Sequence, residues 1–217
     1  MTAALPARTK PRLRGVSHQA AFYAALGAGL TLVGSARSGH TALPLGVYAL
    51  CMAAMFGISA LYHRPDWGPV ARLRMRRLDH CGIFLMIAGS YTPVCTLALP
   101  APQGLRLLAA VWIGALAGIA QALLWVQAPK PVTAAIYLSI SWLAAWTLPD
   151  LWRAIGPAGM ALLLGGGLAY SAGAVVYAAR RPDPAPRVFG YHEIFHALVV
   201  AAAISHYAMI VRVARGL

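Results

Sequence analysis

Ser59 and His63 stand four residues apart, and so do His192 and His196. On a helix that spacing puts both members of a pair on one face. Two imidazoles so placed can reach one metal ion, and a third from His63 would complete a three-nitrogen set. Such a set suits Zn²⁺ and leaves a fourth position for water, whose pKa the ion draws toward ~7. Asp79 is the carboxylate that could hold that water or act as its base.

Each of these residues also has a quieter reading. The string His192-Glu193-Ile194-Phe195-His196 has the H-E-x-x-H form, which arises easily by chance, so its context decides. His192, His196 and His63 are either ligands or hydrogen-bonded structural histidines. Asp79 has rival roles as an ion-pair partner of Arg76 or Arg77, or as the N-cap of a helix. Glu193 falls at a helix start, where it serves as a dipole partner or interfacial residue and not as a base. His80 and His206 read as packing residues, and His40 as a loop residue. A nucleophile elbow, phosphate loop, dinucleotide fingerprint and haem attachment motif are all lacking from the sequence.

The elements that must position these groups are membrane helices. Sixty per cent of the 217 residues are apolar and 11% are charged, against about 25% charged in a soluble domain. Mean hydropathy is +0.67. The net charge of +13 does not point to nucleic acid, because the basic residues sit in short runs between apolar blocks. Cys51, Cys81 and Cys95 lie inside those blocks without C-x-x-C spacing, which argues against a disulfide framework or a Cys-rich zinc site.

Seven apolar blocks are expected to span: 16–34, 42–62, 80–99, 105–126, 132–149, 155–179 and 191–213. The expected fold is an all-α, seven-transmembrane-helix bundle. Its parts are a basic cytoplasmic segment 1–15, one helical domain 16–213 and a short tail 214–217. The fifth block is the shortest and ends at Pro149. The first is read as a retained helix and not as a cleaved signal peptide. Thirteen Lys and Arg would fall on one side: Arg8, Lys10, Arg12, Arg14, Arg64, Arg72, Arg74, Arg76, Arg77, Lys130, Arg180, Arg181 and Arg187. Five would fall on the other: Arg37, Arg106, Arg153, Arg212 and Arg215. The bias predicts a cytoplasmic N-terminus and an outside C-terminus in a multi-pass inner (plasma) membrane protein. On that topology His18, His63, Asp79, His192 and His196 all share the cytoplasmic depth. Ionisable groups at membrane depth are functional candidates.

Three motifs resemble the bacterial hemolysin III family. They are Ser59-Ala60-Leu61-Tyr62-His63, then Arg77-Leu78-Asp79-His80-Cys81-Gly82-Ile83 continuing to Ala88-Gly89-Ser90-Tyr91-Thr92-Pro93, and Tyr191-His192-Glu193-Ile194-Phe195-His196 followed by His206. That family is related to the progestin and adipoQ receptors, within a wider group of membrane hydrolases that includes alkaline ceramidases. The resemblance implies seven helices with the N-terminus inside and zinc on His63, His192 and His196. It places Asp79 at the water and Ser59 beside the site. His18 matches the histidine of an N-terminal family motif, but Arg14 stands where that motif carries Asn, which leaves the role of His18 open.

The expected function is a zinc-dependent hydrolysis of a lipid amide or ester, with membrane lipids as partners and a lipid or fatty-acyl substrate. A non-catalytic lipid sensor with structural zinc is one alternative. A cytolytic, pore-forming protein is another, with less physical support, because no wide polar stripe lines any block.

Overall fold

The computed structural model describes residues 10–216. Arg8 of the charge count and most of the 1–15 segment lie outside the described residues. Among the described residues there are seven α-helices: α1 Val16–Gly34, α2 Gly39–His63, α3 Pro69–Leu97, α4 Ala101–Leu124, α5 Lys130–Ser141, α6 Leu148–Ala179 and α7 Tyr191–Arg215. Each packs on its neighbours in sequence, and α7 closes the ring against α1. α3 also touches α5 and α7, so it stands where several helices meet.

The outward faces are apolar. Leu30, Leu50 and Leu124 are 77%, 72% and 85% exposed, and Ile113 and Ile204 are similarly bare. Water would penalise that surface at about 25 cal/mol per Å², and lipid does not. Five helical stretches are long and apolar enough to cross a membrane, among them Lys130–Ala179 at 50 residues. The chain is an all-helical, multi-pass membrane protein. Cys51, Cys81 and Cys95 are buried and free.

Three local expectations need correction. α3 begins at Pro69, eleven residues before the block expected at 80, because Pro69 sits in its first turn and Gly68 caps it. Asp79 is therefore ten residues inside the helix and does not cap it. His40 lies in the exposed first turn of α2 and not in a loop.

The third correction is the block at 132–149, which is not one α-helix. α5 has 12 residues and gives way to a 3₁₀ segment, Leu143–Thr147. The change of pitch frees backbone groups that a membrane cannot hydrate. Tyr91 takes them up, donating to the Ser141 carbonyl at 2.7 Å and accepting from the Ala144 N–H at 3.1 Å. Further on, Gly156 interrupts α6 with φ 65° and ψ −179°, immediately before Pro157. That conformation is essentially reserved for glycine. The chain folds back across this region, since Trp142 Nε1 donates to Ser171 Oγ at 3.1 Å and α5 packs on α6. Trp146 is 59% exposed on the 3₁₀ segment.

Candidate metal centre

α2 ends at His63 and α7 begins at Tyr191, so the last turn of one and the first turn of the other lie at the same end of the bundle. His63 Nε2 and His192 Nε2 face each other at 3.1 Å. One donor nitrogen from each of His63, His192 and His196 fits within 4.8 Å of the others. Nitrogen ligands around a tetrahedral zinc ion at 2.0–2.1 Å stand about 3.3 Å apart. The His63–His192 pair is already near that edge length, and three neutral imidazoles are a suitable donor set. The residues fit a metal ion.

Asp79 comes in from α3, with Oδ2 3.8 Å from His63 Nε2. No Arg lies within ion-pair distance of it among the described residues, so the rival pairing with Arg76 or Arg77 is not formed. Ser59, 4% exposed, shares a 2.8 Å hydrogen bond with His18 Nδ1. His18 is itself buried, and its ring stacks on His196 with centroids 3.7 Å apart and planes 9° from parallel. The open role of His18 thus becomes a positional one: it steadies a candidate ligand on one side and Ser59 on the other. His18 Nε2 has no hydrogen-bond partner. His206 bonds the Leu163 carbonyl at 3.1 Å and stands outside the metal group.

The chain before α1 straps this end of the bundle. Arg12 and Leu13 N–H donate to the Arg187 and Val188 carbonyls in the α6–α7 connection. Lys10 reaches the Arg64 and Pro65 carbonyls and Asp66 at the end of α2. Arg14, where the resembling motif has Asn, forms an ion pair with the buried Glu193. Glu193 also accepts from the Gly190 N–H at 2.8 Å, closing a capping box at the start of α7. Gly15 makes the strap possible. Its φ is +78°, and a Cβ there would fall 2.6 Å from His63 Cβ.

A cavity of about 320 Å³ opens from this cluster. His63, Asp79, His80 and His192 line one end, and Ile83, Met86, Ile87, Val94, Leu107 and Leu151 continue it into the bundle. From Asp79 to Val94 is fifteen residues of α3, or ~22 Å along the helix. Sequence reading had Lys130 only in the charge count and Tyr191 only within a motif, and it missed Tyr177; the three gather at the polar end, where Lys130 Nζ donates to Tyr191 Oη at 2.9 Å and lies 4.1 Å from the Tyr177 ring centroid. No spacing rule joins residues from α5, α6 and α7 before the fold is known.

Residues 7–207 match the family described as haemolysin-III related. The chain belongs to that family. Among curated haemolysin-III relatives, the Hemolysin-3 of Bacillus cereus is 34% identical over 131 residues, covering 60% of this chain and 59% of that protein. The Hemolysin-3 homolog of Bacillus subtilis is 31% identical over 126 residues, covering 58% and 56%. The chain thus aligns with under two thirds of either. The adiponectin receptor protein of Drosophila melanogaster is 28% identical over 181 residues, covering 75% of this chain and 40% of that receptor. The haemolysin-III and adiponectin-receptor groups are thereby linked through this chain, as the resemblance implied.

Proposed function

We propose that this chain is a zinc-dependent membrane hydrolase that cleaves a lipid amide or ester. The observation that carries it is the meeting of three convergent imidazoles and one carboxylate, of which His63, His192 and Asp79 line the polar end of a cavity that turns apolar deeper in the bundle. Zn²⁺ bound there would supply Lewis acidity for activating water and polarising a carbonyl. His63, His192 and His196 are assigned to hold it. Asp79 accepts the proton of the attacking water and returns it to the leaving group. Ser59 donates a hydrogen bond to the oxygen on which charge develops, held in place by His18. The apolar part of the cavity takes the acyl chain.

The topology proposed with it has seven crossings, a cytoplasmic N-terminus, an outside C-terminus and an inner (plasma) membrane location. The 50-residue stretch Lys130–Ala179 counts as two of the seven. A single helix of that length would reach ~75 Å, over twice the hydrocarbon thickness. One domain, 16–213, holds the whole site.

Asp79→Asn tests the chemistry, since it keeps the shape and removes the base. Zinc content and folding should be retained, and turnover of lipid amides or esters should fall ~10²–10⁴-fold. Full turnover by the Asn protein would reject the base assignment. The strap over the histidines favours a second reading, a lipid sensor in which a closed-in metal is structural. An unaltered protein that turns over no ceramide, lysolipid or acyl ester would support that reading. The Bacillus relatives' name suggests a third, cytolysis, which dye leakage from liposomes would test.

A further inference from the structure

The face of α3 that lines the cavity runs Arg72, Arg76, Asp79, Ile83, Met86, Ser90 and Val94. These positions recur at three- and four-residue steps, so they form one stripe along the helix. The stripe changes character along its length. It is cationic at its N-terminal end, carries the carboxylate next and is apolar beyond, except for Ser90, whose hydroxyl is turned to the Met86 and Ile87 carbonyls. An amphiphile laid along it would put its chain on the apolar part and its scissile carbonyl at Asp79. Whatever leaves would then lie against Arg72 and Arg76.

Lys130 faces the same end of the cavity. Its ammonium sits 4.1 Å and 4.6 Å from the Tyr177 and Tyr191 ring centroids and spends one donor on Tyr191 Oη. Two of its three donors remain. Arg14 also lines the cavity but is engaged by Glu193. Among the described residues, Arg72, Arg76 and Lys130 have no ion-pair partner, and Asp79 is the lone carboxylate lining the cavity.

The rule that gathers basic residues on the cytoplasmic side accounts for charge near this end. It does not account for the selection. Of the arginines from 64 to 77, Arg72 and Arg76 line the cavity, while Arg64, Arg74 and Arg77 do not. A lysine placed by that rule alone would extend its head to water, whereas the Lys130 ammonium is folded over two tyrosine rings at the cavity wall.

We propose that Arg72, Arg76 and Lys130 form an anion subsite, and that the leaving group of the substrate carries a phosphate or carboxylate. This rests on the hydrolase reading above. In the reaction, the oxygen of water bonds to the acyl carbon and the carbonyl carbon–nitrogen or carbon–oxygen bond breaks. The proton taken by Asp79 passes to the departing amine or alcohol. The products are a fatty acid and an anionic amine or alcohol. A neutral headgroup would leave three cations facing one carboxylate, Asp79, at the end of the cavity.

The test is the displacement of a fluorescent fatty-acyl probe from the zinc-loaded full chain in detergent, with product release followed in parallel. N-palmitoylglycine and 1-palmitoylglycerol 3-phosphate are set against their neutral counterparts, N-palmitoylethanolamine and monopalmitoylglycerol. The anionic lipids should bind ~10–100-fold more tightly, as expected of charge-assisted hydrogen bonds. Whichever anion binds better names the source. Arg72→Gln/Arg76→Gln should erase most of this preference, as should Lys130→Gln. Arg74→Gln removes one charge off the cavity, as Lys130→Gln removes one on it, and should not. Melting temperatures show whether each variant is folded, and the arginine variant alone suffices should the lysine variant fail.

Equal binding of anionic and neutral lipids overturns the subsite. So does an equal loss in Arg74→Gln, which would make the effect one of overall charge. Palmitate binding as tightly as the anionic lipids overturns it too, by placing the anion on the product. Preference without product release keeps the subsite and rejects hydrolysis. Release from both lipid classes without preference does the reverse, and no binding by any lipid rejects both.

Discussion

His63 and His192 approach to 3.1 Å although 129 residues separate them. Their exchange with Ala is therefore expected to act through the metal. Each of His63→Ala, His192→Ala and His196→Ala should lower zinc strongly from about one ion per chain, read by elemental analysis. His40→Ala, at an exposed position in α2, should leave it unchanged. Full zinc in the His192→Ala protein would remove that residue from the site. Glu193 gives a second test, because in an H-E-x-x-H peptidase its position would hold the base. Here its carboxylate is 3% exposed and occupied by Arg14 and the Gly190 N–H. Glu193→Ala should cost roughly 3 kcal/mol of stability, the usual scale for breaking a buried pair, seen as a lower melting temperature in detergent. Glu193→Gln keeps the shape and should retain turnover within a few-fold. A folded Gln variant without turnover would transfer the base role from Asp79 to Glu193.

The helices depend on close approaches that a methyl group would block. A Cβ on Gly104 of α4 would fall 2.0 Å from the Cys95 carbonyl oxygen of α3. Backbone cannot swing aside as a side chain can, so Gly104→Ala must push α4 away from α3. α3 carries Asp79 and the cavity stripe, and the displacement should reach them. The expected result is a melting temperature several degrees lower, with turnover reduced. Gly27→Ala of α1 has nothing within 4 Å of its added methyl and serves as the control. It should melt no lower than the unaltered protein, since Ala is favoured over Gly in a helix by ~1 kcal/mol. Equal losses in both variants would show that helix propensity, and not the α3–α4 contact, sets the effect.

For the whole molecule, the charge asymmetry and the ring of helices make one joint prediction. Lys10 and Arg14 tie the chain before α1 to the ends of α2 and α7, which puts the N-terminal strap, Asp79 and the histidines at one end of the bundle. If that end is cytoplasmic, a reporter fused after residue 217 should read as outside. A cytoplasmic signal would mean an even number of crossings, and the break at Gly156 would be the place to look, because the stretch around it would then cross once and not twice.

Much was legible in the chain alone because lipid is a demanding solvent. A segment that must bury its backbone polar groups and expose apolar side chains declares itself by composition. Val16–Gly34 and Tyr191–Arg215 accordingly begin where the apolar blocks do. The i, i+4 spacing of His192 and His196 likewise put both on one helical face before any fold was known. What the sequence could not determine depends on contacts between distant segments. The reach of α3 back to Pro69 was hidden by its arginines, which read as a linker because they are polar, though two of them line the cavity. The short α5 and its 3₁₀ continuation depend on Tyr91, fifty residues earlier, to satisfy freed backbone groups. The stacking of His18 on His196 and the folding of Lys130 over Tyr177 and Tyr191 are meetings of separate helices. Periodicity describes one helix at a time, and only the packing of several decides which side chains share a cavity.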